Sequence, residues 1–140
     1  MPDHRPDIVI IMTDQQRADF FASRGFGIDT MPYLDSLAQR GVRFAQAYTS
    51  MPICVPARIS LFTGRFPKAH GVIANWPEPA PRYGQDLPDL LREAGYTLGL
   101  FGKNHSHLTA NKFDTWRLYD HTAGPPRPGH ESEDAAFDRW

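Results

Sequence analysis

Apolar residues cluster along this chain in short runs that are separated by polar segments rich in glycine and proline. Residues 8–12 form a continuous, mostly β-branched run, which is typical of a central strand covered on both faces in a parallel α/β sheet. Residues 42–48 and 96–101 also predict strands, whereas residues 110–119 are predicted to form a loop. This pattern predicts an α/β fold.

Helix signals lie between these runs. From Pro32 the apolar residues fall on one face as far as Gly41, so the sequence predicts a helix of about nine residues with Thr30 as its cap. Residues 86–95 predict a second helix, with a capping aspartate, a proline in the first turn and a glycine at the end. Residues 132–140 have the composition of a further helix start.

The single cysteine lies at the start of another helix signal. Proline is well tolerated in a first helical turn, so Pro56 places Cys54 at the N-terminus of a helix. Free backbone N–H groups and the helix dipole favour an anion there, and Arg58 adds positive charge one turn further on. A small, buried, unreactive cysteine is the alternative interpretation.

Composition restricts the classes of function. The 140 residues suit a single domain, and a formal net charge of -1 gives no argument for a nucleic-acid partner. One cysteine cannot form an internal disulfide. The apolar run at residues 8–12 is too short for a signal-peptide core or a membrane span, so we expect a cytoplasmic protein without a membrane partner.

The segment around the cysteine resembles the signature of the sulfatase family, C-x-P-[S/A]-R followed by L-x-T-G. The residues that carry it are Cys54, Pro56, Ala57, Arg58, Leu61, Thr63 and Gly64. Residues 28–48 resemble the family's approach to this cysteine, and residues 102–105 resemble its G-K-W-H motif with Asn104 in the aromatic position. The resemblance implies an alkaline phosphatase-like α/β sandwich with a mostly parallel central sheet, of which residues 1–140 are the N-terminal part.

The resemblance also implies a mechanism. In sulfatases the cysteine is converted after synthesis to a formylglycine aldehyde, so Cys54 would be the substrate of a formylglycine-generating enzyme. The hydrated aldehyde would attack a small-molecule sulfate ester, and Lys103 and Arg58 would offset the developing negative charge. His105 would help to remove a proton so that sulfate is released.

A metal site is implied as well. The pair Asp14-Gln15 follows the first predicted strand and is similar to the Asp-Gln form of the family's metal-binding pair. By this resemblance Asp14, Gln15 and the modified Cys54 would bind a hard divalent cation, with Ca²⁺ expected and Mg²⁺ or Mn²⁺ as alternatives. An aspartate that caps the following helix is the other interpretation of Asp14.

Three further polar residues have more than one interpretation. Asn75 corresponds in position to a residue that touches the anionic group of the substrate in phosphonate monoester hydrolases, and a turn asparagine is the alternative. His70 is interpreted as structural. His107 lies close enough in sequence to compete with His105, and His105 is preferred because it matches the motif.

Sulfatases are several times longer than this chain and complete their sites with residues from later strands. Two classes of function therefore stay open: part of a sulfatase-type hydrolase, or a catalytically incomplete fragment that acts as an interaction module. Within the enzyme class, a phosphonate or phosphate diester hydrolase is the alternative to a sulfatase. The sequence leaves the natural alcohol and the oligomeric state open.

Overall fold

The computed structural model describes residues 5–75, 80–120 and 130–132, the last three and residue 120 by their backbone alone. Contacts divide the chain into two compact units, one within Met1–Ala47 and one within Tyr48–Trp140.

The first unit contains helix α1, Pro32–Arg40, with proline in its first turn as the sequence predicts. Thr30 does not cap it: the N-cap is Met31, and the Thr30 hydroxyl instead donates to the Phe20 carbonyl at 2.6 Å. The helix is tied to a short 3-10 turn, Ala22–Arg24, because the Ser23 N–H donates to the Asp35 carboxylate at 3.3 Å.

The strands predicted at residues 8–12 and 42–48 are wrong. Both segments lack regular secondary structure and are exposed, with Val9 and Ile11 each 80% accessible. A strand needs a neighbouring strand for its backbone groups, and the sheet that the structure describes draws all its strands from residues 99–132. The sequence pattern indicates that both segments are apolar and could form strands, but it does not indicate which other elements would pair with them or cover them.

The second unit contains helices α2, Cys54–Thr63, α3, Pro67–His70, and α4, Leu87–Glu93. Helix α4 confirms the predicted capping aspartate. The Asp86 carboxylate accepts the Asp89 N–H at 3.1 Å while the Asp89 carboxylate accepts the Asp86 N–H at 3.2 Å, a reciprocal capping box. Among the described residues, the buried aliphatic side chains other than proline all belong to this unit: Val55, Ile59, Leu98, Leu108 and Leu118.

A parallel sheet of three strands follows in the order β1, Gly99–Gly102, β2, Thr115–Asp120, and β3, His130–Ser132. In its register Leu100 pairs with Trp116 and Leu118 pairs with His130. The parallel α/β character is therefore confirmed, although β1 is shorter than the predicted strand at residues 96–101.

The loop predicted at residues 110–119 is partly wrong, because β2 occupies its second half. Asp114 holds the start of that strand: its carboxylate accepts the Leu98 N–H at 2.8 Å, and its own N–H donates to the Leu98 carbonyl at 2.9 Å. The helix start predicted at residues 132–140 lies outside the described residues except for Ser132, which ends β3. None of the described helices is long and apolar enough to cross a bilayer.

Candidate active site

Cys54 is the first residue of α2, which confirms the position predicted from Pro56. The preceding residue, Ile53, is extended and has no side-chain hydrogen bond to the helix end. That bond comes from a distant residue: the Asn75 side-chain oxygen accepts the Val55 N–H at 3.1 Å. Asn75 therefore caps the helix that presents Cys54, whose side chain is half-buried.

The end of α2 follows from Gly64. This glycine adopts a left-handed conformation with φ of 65°, and its N–H donates to the Ser60 carbonyl at 2.9 Å. A left-handed residue after the last helical turn favours glycine, because a Cβ would clash with the backbone. The sequence L-x-T-G thus ends the helix that C-x-P begins.

Lys103 brings a positive charge to the cysteine. It directly follows β1, and its Nζ lies 4.0 Å from the Cys54 Sγ. The contact joins residues 49 positions apart in sequence. A helix N-terminus and an ammonium group therefore meet at one side chain, an arrangement that favours negative charge developing there.

Arg58 is almost fully buried, with 8% of its surface exposed. Its Nη1 donates to the Lys103 carbonyl at 2.7 Å. The guanidinium therefore links α2 to the segment that follows β1, so the structure gives Arg58 a positioning contact in addition to its charge.

His105 lies on the same loop as Lys103 and is exposed. Its φ is 41°, and only Gln15, with φ of 51°, shares a positive φ among the non-glycine residues that the structure describes. Such backbone conformations cost free energy in non-glycine residues and cluster at functional sites. Both residues are also candidate site residues by their resemblance to family motifs.

The loop after β1 is closed by Asn104, the residue that replaces the aromatic position of the motif. Its Nδ2 donates to the Leu108 carbonyl at 2.8 Å, and its Oδ1 accepts the Ser106 hydroxyl at 2.6 Å. The Ser106 hydroxyl oxygen in turn accepts the Leu108 N–H at 3.3 Å. Hydrogen bonds within the loop therefore fix its shape.

His107 does not lie at the surface with His105. Its side chain is 3% exposed, its Nε2 lies 3.1 Å from the Asp86 Oδ2, and its ring packs edge-on against Tyr83. A carboxylate only accepts hydrogen bonds, so Nε2 carries the proton. Burial lowers the pKa of His107 by disfavouring the charged imidazolium, although the bond to Asp86 opposes this.

His70 occupies a comparable buried position between helices. Its Nδ1 accepts the Val72 N–H at 3.2 Å, so its Nε2 carries the proton and bonds to the Ser60 hydroxyl at 3.1 Å. Burial lowers the pKa of His70 as well. These contacts link α2 to the end of α3 and support the structural interpretation of this residue.

The sequence of the chain is similar to that of a known protein family. The family model described as Sulfatase matches residues 6–138, which is nearly the whole chain. The chain belongs to the sulfatase family. The match includes the cysteine helix, the Lys103 loop and the Asp14-Gln15 segment, the three parts that carry the resemblance in the sequence.

Individual sulfatases are similar over about three quarters of the chain. The arylsulfatase of Clostridium perfringens is 34% identical over 107 residues, 76% of this chain and 22% of that protein. The choline-sulfatase of Rhizobium meliloti is 38% identical over 108 residues, 75% of this chain and 20% of that protein. Human arylsulfatase A is 34% identical over 105 residues, 71% of this chain and 21% of that protein. The chain thus matches about a fifth of the length of these curated relatives.

The donor set available for the sulfatase cation is incomplete. Asp14 and Gln15 lie in a bend of the first unit and offer hard oxygen ligands, of which Ca²⁺ takes six to eight. Within residues 5–75, 80–120 and 130–132 there is no group of three or more His, Cys, Asp or Glu side chains that could hold a metal ion. The chemistry of these two donors suits a divalent cation, but their number does not make a site.

The structure brings together four of the predicted site residues, Cys54, Arg58, Asn75 and Lys103. It also reveals contacts that the sequence analysis missed, namely the cap that Asn75 provides and the bond between His107 and Asp86. Asp86 was visible in the sequence as a helix cap, but no local signal connects it to a histidine 21 positions away.

Proposed function

We propose that this chain contributes the nucleophile part of a sulfate-ester hydrolase, in which Cys54 is converted to formylglycine. The observation that supports this most directly is the 4.0 Å approach of the Lys103 ammonium to the Cys54 Sγ at the first residue of a helix, in a chain of the sulfatase family. Neither feature is needed by a cysteine that only fills space.

When present, the hydrated formylglycine supplies a hydroxyl nucleophile for attack on the ester. The residues of this chain would prepare the place of attack. Lys103 would attract the anionic sulfate and offset the charge that develops in the transition state. Arg58 would keep the Lys103 backbone in place through its bond to the carbonyl, and the positive end of the α2 dipole would favour the anion.

We assign His105 the role of proton acceptor. Its side chain is exposed, so it can exchange a proton with water after each turnover. His107 is a poor alternative, because its ring is buried away from solvent and burial lowers its pKa, which disfavours taking up a proton.

We further propose that Asp14 and Gln15 supply part of a divalent cation site, with Ca²⁺ as the expected ion. Their oxygen donors and the positive φ of Gln15 support this assignment. The remaining ligands would have to come from outside the described residues, and the chemistry assigned above to Lys103, Arg58 and His105 does not pass through the cation.

The test combines the state of Cys54 with turnover. For the full-length protein from its own host, we expect peptide mapping across Cys54 to show the mass decrease that accompanies replacement of CH2SH by an aldehyde, together with hydrolysis of an aryl sulfate. Dialysis against EDTA should remove the turnover, and Ca²⁺ should restore it.

The alternatives give different results in the same assay. Turnover of phosphate diesters or phosphonate monoesters alone would favour the related phosphorus-ester hydrolases. An unmodified thiol with no turnover of either substrate class would favour an interaction module.

Asn75 offers a separate prediction, because its capping role and its proposed contact with the substrate anion respond differently to charge. In Asn75→Asp the carboxylate still accepts the Val55 N–H, and negative charge is favoured at a helix N-terminus, so stability should be retained. The same charge beside an anionic ester should lower kcat/KM on the order of ten-fold. Chemical denaturation and steady-state kinetics measure the two effects.

The control is Asn75→Ala, which removes the cap and should lower the free energy of unfolding by about 1 kcal/mol. An unchanged kcat/KM in Asn75→Asp would limit Asn75 to its structural role.

A further inference from the structure

A buried charged cluster lies next to the proposed site but contains none of its residues. At its centre is the Asp86 carboxylate, which is fully buried. One oxygen accepts the Asp89 N–H at 3.1 Å, and the other is 2.8 Å from the Lys112 Nζ and 3.1 Å from the His107 Nε2. Although burial opposes it, the bonds to Asp86 and Asp89 raise the pKa of Lys112, so its ammonium stays charged.

His107 is not the only group that bonds to this carboxylate. The Lys112 ammonium, which also contacts the Asp89 carboxylate at 2.6 Å, lies at the same oxygen, and the helix N–H occupies the other. The burial of His107 is also costly, because its Nδ1 has no hydrogen-bond partner within the described part of the chain. A buried imidazole kept at that cost suggests a purpose other than charge balance.

The position of His107 in the chain indicates that purpose. It lies four residues after Lys103 and two after His105, on the loop that follows β1. Arg58 holds the beginning of this loop through the Lys103 carbonyl at 2.7 Å. The bond from His107 to Asp86 holds the far part of the loop against the start of α4.

Between these two attachments, Arg58 Nη1 also lies 3.5 Å from the Asn104 carbonyl, and Asn104 and Ser106 make internal bonds. The internal bonds preserve the shape of the loop, whereas the contacts of Arg58 and His107 hold its two ends against the rest of the unit. Two external attachments are the minimum that prevents such a loop from pivoting about one of them.

We propose that His107 is a positioning residue, which acts with Asp86 to hold the Lys103 ammonium beside residue 54. The inference rests on the proposed function for its catalytic meaning, but the geometry it describes can be measured without turnover. Loss of the bond would let the loop pivot about Arg58 and move the ammonium away from the cysteine. A purely structural role would lower stability and leave the charge beside Cys54 unchanged.

The experiment uses the full-length protein with an unmodified Cys54 thiol, made in a host that lacks the converting enzyme. Peptide mapping gives the alkylation rates of Cys54 by iodoacetate, which is anionic, and by iodoacetamide, which is neutral. Changes in thiol ionisation or in general access alter both rates equally, so they cancel in the ratio of the iodoacetate rate to the iodoacetamide rate. This ratio therefore reports positive charge near the Cys54 Sγ. Lys103→Met sets the reference for a lost ammonium, with an expected fall in the ratio of about five-fold.

His107→Phe keeps the ring volume and removes the bond to Asp86, and we expect the ratio to fall about three-fold. His107→Gln places an amide N–H near the former Nε2 and should restore most of the ratio. Lys112→Gln is the matched control, since it removes another partner of the same carboxylate without touching the loop. It should lower stability and leave the ratio at the wild-type value.

A wild-type ratio in folded His107→Phe would overturn the proposal, and so would an equal fall in Lys112→Gln. If His107→Phe does not fold, Asp86→Ser provides the same test, because serine still caps α4 but is too short to reach the imidazole. Turnover of an aryl sulfate is measured separately on the converted enzyme. A fall in the ratio together with absent wild-type turnover would uphold the positioning role and reject the proposed function.

Discussion

Cys54→Ala is expected to abolish sulfate-ester hydrolysis, with a loss on the order of 10⁴-fold or more, because no nucleophile can be formed at the start of α2. Alanine is a good helix former and fits the space of a cysteine, so the fold should survive the change. Initial rates with an aryl sulfate at matched concentrations of folded protein measure the effect.

The control is Leu90→Ala in α4, at a side chain that is 50% exposed and lies outside the segment that carries the family signature. It should retain wild-type turnover per folded molecule. Residual activity of Cys54→Ala above a few per cent of wild type would contradict the assignment of the nucleophile.

Lys103→Met should have the second largest effect, a loss of about 10²- to 10³-fold in kcat. Methionine keeps much of the length of the side chain and removes the charge that lies 4.0 Å from the Cys54 Sγ. Stability should change little, because the neighbouring bond from Arg58 involves the backbone carbonyl of Lys103. Steady-state kinetics on fully converted protein, with the aldehyde content checked by mass, give the value.

Lys103→Arg and Lys68→Met complete this test. Arginine keeps the charge but is longer and planar, so it should recover only part of kcat. Lys68 is an exposed lysine of α3, and its replacement by methionine should leave kcat unchanged. An equal loss in Lys68→Met would mean that net charge, rather than the position of Lys103, governs the rate.

Burial distinguishes the histidines that have structural roles from the one that is proposed to accept a proton. His70 and His107 are both enclosed, and burial lowers the pKa of each. Both therefore favour the neutral imidazole as fixed hydrogen-bonding groups, whereas His105 is exposed on the loop. The burial of His107 supports the proposal that His105 is the proton acceptor.

Helices were predictable because their signals act over a few residues. Proline at positions 32, 56 and 88 and the capping box at Asp86 each act within one turn, and α1, α2 and α4 begin where these signals place them. Strands were less predictable. The run at residues 8–12 is apolar enough for a strand, yet pairing depends on partners that a local pattern does not contain. Strand β2 pairs with β1 through residues whose local pattern predicts a loop.

The sequence by itself determined the family, the position of Cys54 at a helix start and the candidate residues, because these depend on residue identity and short spacing. Only the tertiary structure decided how these residues are held. Packing brings Lys103 to Cys54, Asn75 to the first turn of α2, and Asp86 to His107. These contacts join positions 20 to 49 residues apart, and their geometry follows from the packing of whole elements rather than from local preference.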